Sequence, residues 1–510
     1  MRHLNTPWEL PQNLLFDDFE THWIHTQLDP AARRSLNEGW QGVFRRSALK
    51  CLPAPEIAEH FSAAFGRPTK EIYSMIGLLV IMEFKQWSAE EAAEAYSLDA
   101  GVQFALNLAR DRQYVCPRTV ENYKRLLREG DEHCADIFGT VTAALVKEFQ
   151  IDIRRQRLDS THVFSYMAQL TRGNLMAVTV KRFLTQVLRH DPAAHAALPD
   201  ELIQRYAPAE GRIFGYGKSK ADSETLVSRI QQTAGDLHFL IEQFSGNAHL
   251  NGRSTWKALI RVFQDQCELK PAQGRRGKPI VLIKEKAKDP EGKSSNVLQN
   301  PSDPDAGYDG HKGPGYQLQL AQSYGEENEV NLITACLPQS AAESDSASLI
   351  PVIESQTGHE LQPKNVLADT AYGGDENVTA CEEGGIELIS PVAGKSPGKK
   401  PAPPTAAVPP GGPDGPGKPD EPKGRKERLE ERRAQQQTEA WKKEYAKRSG
   451  IEGVNRALDR VTGIKQLVVR GKRAVSMALY LKTIGWNILK AGQTYAQRGI
   501  AARKMELQAA

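Results

Sequence analysis

Residues 303–392 alternate between short strand-like and short helical segments, and this alternation most constrains the fold. Four runs rich in apolar and β-branched residues favour strands, namely 316–324, 330–338, 364–372 and 386–392. Two stretches between the later runs have helical patterns, at 344–358 and 375–385. A further strand is predicted around 153–164. Such an order predicts a mixed α/β sheet with helices packed against it.

Helical patterns dominate on both sides of these strands. Apolar spacing predicts a buried helix at 72–82, and Ser88-Ala-Glu-Glu91 has the spacing of a capping box. We predict five parts: an N-terminal all-helical domain at 1–150, a sheet core from 151–164 and 300–392, a mainly helical insertion at 165–299 after the first core strand, a Pro/Gly-rich disordered linker at 393–424, and C-terminal helices at 425–510 that complete the core.

Charge is distributed unevenly along the chain. The net charge is only +3, but residues 391–510 contain 25 Lys and Arg against 11 Asp and Glu. A basic segment of this kind favours a polyanionic partner such as nucleic acid; a solvated basic linker and helix is the alternative. In the N-terminal part, a predicted helix after Pro117 exposes several basic residues. That helix either contacts DNA or is an ordinary surface helix.

Composition excludes several classes of protein. The longest apolar run, at 72–82, is shorter than the roughly 20 residues that span a bilayer, so no membrane association is expected. The first residues lack the pattern of a signal peptide. Six scattered cysteines without a Cys-x-x-Cys pair argue against a zinc ribbon or a disulfide scaffold. These features predict a cytoplasmic protein.

Three acidic residues occupy positions suited to chemistry. Asp159 is predicted at the end of the first strand, Asp369 at the end of a buried strand, and Glu452 in a helix after the linker. Ligands of open α/β sheets bind at the carboxyl ends of strands, and carboxylate oxygens suit Mg²⁺. Two ions about 4 Å apart can hold a phosphodiester for in-line attack. Taken singly, each acid is more typical of a surface or capping residue.

The surroundings of these acids resemble the three acidic motifs of bacterial insertion-sequence DDE transposases. The matching segments are DSTHV at 159–163, LADTAYGG at 367–374 and YAKRSGIEGVNRAL at 445–458. Tyr445, Arg448 and Glu452 reproduce the family's Tyr-x2-Arg-x3-Glu spacing, which on one helix would place all three on one face. The family has a basic residue seven positions after the Glu; here that position is Asp459, and Arg460 follows.

The resemblance implies an RNase H-like core and a DNA-processing enzyme. Asp159, Asp369 and Glu452 would hold Mg²⁺ (or Mn²⁺), as two ions, for cutting DNA at terminal inverted repeats. The freed 3′-hydroxyl would then attack target DNA. The partners are double-stranded DNA and further copies of the chain, as a homodimer or larger assembly on DNA. Such an enzyme would associate with the bacterial nucleoid in the cytoplasm.

Basic and aromatic residues complete the predicted substrate site. Tyr445 and Arg448 would contact the DNA near the cut, and Lys465, Arg470 and Arg473 would contact its backbone. Two other functions remain open at this point. One is a metal-dependent nuclease on the same fold, and the other is a catalytically inactive DNA-binding remnant.

Overall fold

Strands from both sides of the helical insertion assemble into one mixed sheet. The computed structural model describes residues 28–66, 69–108, 113–130, 133–208, 223–271, 279–392 and 424–509. These residues form the strands β1 (Arg155–Val163), β2 (Cys267–Lys270), β3 (Ile280–Ile283), β4 (Gly307–Asp309), β5 (Gly313–Ser323), β6 (Ile333–Ser340), β7 (Asn365–Leu367) and β8 (Glu387–Ile389). Six of them form the sheet, in the order β4-β5-β1-β7-β8, with β6 also paired to β5.

The pairing directions make the sheet mixed. β1 runs antiparallel to β5 and parallel to β7, and β7 runs parallel to β8. β5 is antiparallel to both β4 and β6. The predicted mixed α/β class is therefore confirmed, and the sheet is consistent with an RNase H-like core.

The regular elements that the structure describes before β1 are all helices. The α-helices of this part are α1 (Pro30–Glu38), α2 (Trp40–Val43), α3 (Ala54–Ala58), α4 (Ile72–Lys85), α5 (Ala89–Leu98), α6 (Ala100–Ala105), α7 (Pro117–Glu129) and α8 (His133–Phe149). α4 is buried along nearly its whole length, as its continuous apolar sequence predicts. At the start of α5, Ser88 and Glu91 form the predicted capping box.

The insertion between β1 and β4 has an apolar core of its own. Its helices are α9 (Arg172–His190), α10 (Pro192–Ala196), α11 (Asp200–Tyr206), α12 (Ser223–Phe244), α13 (Ala248–Asn251) and α14 (Ser254–Gln266). Phe183, Leu237 and Leu259 belong to a cluster of buried residues drawn mostly from this segment. Among the described strands, β2 and β3 pair antiparallel with each other and with no strand of the main sheet, so the strand-like run near 280 stays outside that sheet.

The remaining helices cover the sheet and connect it to the N-terminal part. They are α15 (Asp345–Thr357), α16 (Asp375–Glu383), α17 (Arg425–Gln435), α18 (Glu439–Ala446), α19 (Gly450–Thr462) and α20 (Lys472–Ala509). Leu349 and Val352 of α15 pack with Leu158 and Val366 of the sheet. α20 packs against α4, α8 and β6. Within the described ranges, no helix has the length and apolarity needed to cross a membrane.

Some boundaries differ from the predictions. β7 spans three residues, and the chain then enters a short 3₁₀ turn at Thr370–Tyr372 instead of extending the strand. β6 begins at Ile333, three residues later than expected. Residues 393–423, which include nearly all of the predicted linker, lie outside the described residues.

Candidate active site

Asp159 lies in the middle of β1, so the prediction that it ends the strand is wrong. β1 continues to Val163 because its second half pairs with β5, up to the pair Val163 and Tyr316. On the other side, β1 pairs with β7 only as far as Arg157 and Leu367. Asp159 therefore stands two residues beyond the last pair with β7, where the sheet opens on that side. Its side chain is 15% exposed.

Asp369 comes two residues after β7 and caps the following turn. Its Oδ1 accepts a hydrogen bond from the Ala371 amide at 2.9 Å. Its main-chain oxygen accepts a hydrogen bond from the Ser390 hydroxyl. Because β1 and β7 are parallel, Asp159 and Asp369 both lie toward the carboxyl-terminal end of β7. The Asp369 side chain is more open than that of Asp159, at 36% exposure.

The segment carrying Tyr445, Arg448 and Glu452 is not one continuous helix. Tyr445 lies in α18, Arg448 in a 3₁₀ turn at Lys447–Ser449, and Glu452 in the first turn of α19. Arg157 of β1 packs on this break: its Nη1 donates to the Lys447 carbonyl at 3.1 Å.

Gly450 allows this close packing. A Cβ at Gly450 would lie 1.8 Å from Nη1 of Arg157. The break in the helix is therefore a place where the chain after the linker fits closely against β1.

One guanidinium group contacts all three predicted acids. Arg448 Nη2 lies 3.2 Å from Asp159 Oδ1 and 3.7 Å from Asp369 Oδ2, and Arg448 Nη1 lies 3.3 Å from Glu452 Oε1. Glu452 is half exposed, while Arg448 is largely buried. Acids that are up to nearly 300 positions apart in sequence thus meet around the guanidinium group of Arg448.

Tyr445 stays close to this group despite the break. Its ring stacks on Trp441, with centroids 4.8 Å apart and planes at 18°. Burial raises the pKa of the Tyr445 hydroxyl; Arg448 lowers this pKa, and Asp369 and Asp159 raise it. These influences require the phenol to lie within electrostatic range of the acids.

Burial and like charges make the ionised form of Asp159 costly. Burial is the largest cause, and with Asp369 and Glu452 it raises the pKa of Asp159 to about 6. Arg448 acts in the opposite direction and lowers this pKa. Asp159 is therefore a carboxylate that needs positive charge beside it in order to remain ionised at neutral pH.

Sequence reasoning missed Asn455, a second donor to Asp159. Its Nδ2 donates to Asp159 Oδ2 at 3.0 Å. The signal was present in the spacing, since Asn455 follows Glu452 by three residues and a helix places such residues on one face.

A buried polar network supports the strand beside Asp159. Ser160 Oγ donates to Asp345 Oδ2 at 3.1 Å, and Gln319 Nε2 donates to Asp345 Oδ1 at 2.9 Å. The Tyr372 hydroxyl donates to Gln319 Oε1, and burial raises its pKa above the ordinary value. These contacts join β1, β5, α15 and the turn after Asp369, so they hold the two aspartates in a fixed relation.

The donor set suits a hard divalent cation, although Arg448 occupies the space between the acids. Among the described residues, no three His, Cys, Asp or Glu side chains are grouped closely enough to hold a metal ion. The three acids nevertheless offer carboxylate oxygens, the ligands that Mg²⁺ prefers. Burial, followed by the neighbouring carboxylates Asp369 and Glu452, raises the pKa of Asp159, and a bound cation would favour its ionised form.

The structure places the other predicted DNA contacts away from the acids. Lys465, Arg470 and Arg473 follow the carboxyl-terminal end of α19, whereas Glu452 lies in its first turn. The 13 residues of α19 extend about 20 Å. The Lys465 carbonyl accepts from the Phe164 amide at 2.8 Å, which fastens this segment beside the end of β1. Arg473 lines a cavity of about 490 Å³ together with residues of α7, including Arg128.

Comparisons with known proteins bear on the last part of the chain. Residues 421–491 match the family model of a transposase DDE domain. The matched stretch contains Arg448, Glu452 and Asn455, and it excludes Asp159 and Asp369. No curated protein and no solved structure matches the chain significantly. The family match supports a transposase of the DDE type, a class of enzymes that act on DNA.

Proposed function

We propose that this chain is a bacterial DDE transposase that cuts DNA at the ends of its insertion sequence and joins the 3′-hydroxyl ends to target DNA. The observation that carries the proposal is the meeting of Asp159, Asp369 and Glu452 around Arg448. The transposase DDE match over 421–491 supports it independently of that geometry.

The three acids would hold Mg²⁺ or Mn²⁺, as two ions in the full catalytic state. Bound there, the ions would activate the attacking oxygen and stabilise charge on the scissile phosphate. The chain's own contribution is to hold the three carboxylates close together. The hydrogen bonds of Asp345 with Ser160 and Gln319 fix the strand next to Asp159.

Arg448 would exchange its carboxylate partners for a DNA phosphate. Its guanidinium pairs with all three acids. Its Nε is buried and has no hydrogen-bond partner among the described residues. A phosphate oxygen is a strong acceptor for a guanidinium, so an incoming strand can compete for Arg448. Tyr445, half-buried beside the acids, would contact the DNA near the cut.

Basic residues farther along would bind the DNA backbone. Lys465, Arg470 and Arg473 follow α19 in the segment of the chain that carries most of the excess positive charge. The N-terminal helical part would contribute further DNA contacts, and two or more copies would assemble on the ends of the element. Binding through phosphate contacts weakens as salt rises, because counterions are released.

Replacing each acid by its amide tests the proposed chemistry. Asp159→Asn, Asp369→Asn and Glu452→Gln should each reduce cleavage of DNA taken from the flanks of the gene by at least about 10³-fold, since each removes a charged ligand. Binding of the same DNA should stay within a few-fold of wild type. Cleavage is measured by gel electrophoresis with Mg²⁺, and binding by mobility shift without it.

Glu439→Gln is the matched control. Glu439 is an exposed glutamate in the neighbouring α18 that pairs only with Lys442 among the contacts the structure describes, so its loss should leave cleavage unchanged. A single amide variant that cleaves near the wild-type rate would remove that residue from the mechanism. Cleavage without joining to a target plasmid would favour the nuclease, and binding without cleavage by the wild type would favour the inactive remnant.

A further inference from the structure

Asn455 interrupts the buried apolar face of α19. The buried positions of this helix are Ile451, Asn455, Leu458 and Thr462. Ile451 and Leu458 are fully buried and attach the helix to the core. Asn455 is 6% exposed, and an apolar residue would ordinarily fill such a position. A polar residue here therefore calls for a partner, and that partner is Asp159.

The two oxygens of Asp159 have different donors. Oδ1 faces Arg448 Nη2 at 3.2 Å, and Oδ2 accepts from Asn455 Nδ2 at 3.0 Å. Only the NH₂ end of an asparagine amide can donate, so the carboxylate fixes which way the amide of Asn455 is turned. The amide cannot flip without pointing its oxygen at a carboxylate oxygen.

This orientation leaves the other end of the amide unsatisfied. Asn455 Oδ1 is buried and has no hydrogen-bond partner among the described residues. Burying an unpaired amide oxygen is unfavourable, and packing alone does not account for it. The hydrogen bond to Asp159 therefore fixes the orientation of the Asn455 amide, although this orientation leaves Asn455 Oδ1 without a partner among the described residues.

We propose that Asn455 is a positioning residue that holds Oδ2 of Asp159 and so presents Oδ1 to a divalent cation when Arg448 turns to DNA. This inference rests on the proposed function and adds a residue to it. A carboxylate held at one oxygen by a neutral donor cannot rotate freely, so its other oxygen is ready for the ion. A neutral donor suits this role because, unlike Arg448, it does not repel the arriving cation.

Two substitutions remove the donor in different ways. Asn455→Leu replaces the amide with methyl groups of similar shape, so the position stays filled. Asn455→Ala removes the amide altogether and leaves a smaller side chain. Mn²⁺ binding to the full chain is followed by electron paramagnetic resonance, with and without the flanking DNA. We expect Mn²⁺ affinity to fall about 10-fold in both variants, as is usual when a partner of a metal ligand is lost. The Mg²⁺ concentration for half-maximal cleavage should rise by a similar factor.

Asn487→Ala is the matched control for losing a buried asparagine. Asn487 is fully buried in α20, donates to the Ile333 carbonyl at 2.8 Å and accepts from the Ile333 amide at 2.9 Å. Its loss should lower the melting temperature but leave the Mn²⁺ affinity and the Mg²⁺ requirement of the folded protein unchanged. A purely structural role for Asn455 would give this same pattern.

The outcomes separate the inference from the function on which it rests. The positioning role would be overturned if the wild type cleaves DNA and folded Asn455→Leu or Asn455→Ala binds Mn²⁺ and requires Mg²⁺ as the wild type does. A wild-type protein that neither binds Mn²⁺ nor cleaves DNA would instead overturn the proposed function. Asp159→Asn serves as the reference for complete loss of this ligand.

Discussion

The three acids differ in how far solvent can help them carry charge. Asp159 is mostly buried, Asp369 is about one-third exposed, and Glu452 is half exposed. Water screens the outer two, but Asp159 depends on Arg448 and Asn455 for stabilisation of its charge. At the scale of single residues, Asp159 is therefore the acid of the site whose ionised form is least stabilised by solvent.

The raised pKa of Asp159 predicts a pH-dependent effect of Asp159→Asn on stability. The pKa of this group rises from 3.8 to about 6 on folding, so its contribution to stability is present below pH 4 and is lost as the pH rises through 6. Removing the charge should then stabilise the protein at pH 8, by at most roughly 3 kcal/mol for a two-unit shift. Thermal unfolding at pH 8 and at pH 4 measures the difference between variant and wild type.

The gain should shrink toward zero at the lower pH, where wild-type Asp159 is itself protonated. A variant less stable than the wild type at pH 8, or a gain of equal size at both values, would contradict the burial argument. A stabilising change that removes activity would also agree with a functional role for the residue.

At the scale of elements, helix contacts depend on where glycine allows close approach. α20 crosses α4 at Gly485, where a Cβ would lie 2.2 Å from the Cβ of Phe84. That atom is next to the backbone of α4, so it cannot move aside as the end of a flexible side chain can. The contact joins the C-terminal helix to the buried helix of the N-terminal part.

Gly485→Ala should destabilise the protein by about 1–3 kcal/mol, because the added methyl group forces the two helices apart. Gly453→Ala in α19 is the control. A Cβ there meets nothing within 4 Å, and alanine in an exposed helix should be neutral or stabilise by up to about 1 kcal/mol. Denaturant unfolding compares the two variants. Equal effects would show that the crossing tolerates a larger separation.

Local sequence signals predicted some elements well and one important segment incompletely. The capping box of α5 and the helices α15 and α16 formed where their sequences indicated. The Tyr-x2-Arg-x3-Glu spacing correctly predicted that Arg448 and Glu452 lie close together. It did not predict the break between α18 and α19, because that break depends on Arg157 in a distant strand.

At the scale of the whole molecule, the candidate site forms between parts that the predicted linker joins. Asp159 and Asp369 precede residues 393–424, and Arg448, Glu452 and Asn455 follow them. The family match covers only the later part, so neither side holds the complete set. Arg448 and Asn455 contact Asp159 and Asp369 directly, through residues before and after the predicted linker. We therefore expect the linker to need only enough length to connect the two parts.

Replacing 396–422 with a Gly/Ser sequence of equal length should therefore preserve both folding and cleavage. The natural segment is rich in Pro and Gly and has few apolar side chains that could anchor it. Thermal unfolding and the cleavage assay measure the result. A chain ending at 392 is the control, since it lacks Arg448 and Glu452 and should not cleave. Loss of cooperative unfolding in the Gly/Ser variant would show that the natural segment contributes to the core.

The sequence by itself determined most of the helices and strands and the chemical types of the side chains at the site. Alternating apolar runs specify strands and helices through local side-chain burial, and the acidic motifs with the Tyr-x2-Arg-x3-Glu spacing singled out the three acids as candidates. Only the tertiary structure decided that Asp159 sits within a strand, that Arg448 lies among all three acids and that Asn455 joins them. The physical reason is range: helix and strand signals act over a few residues, whereas charge, burial and hydrogen bonding at Asp159 come from segments nearly 300 positions away.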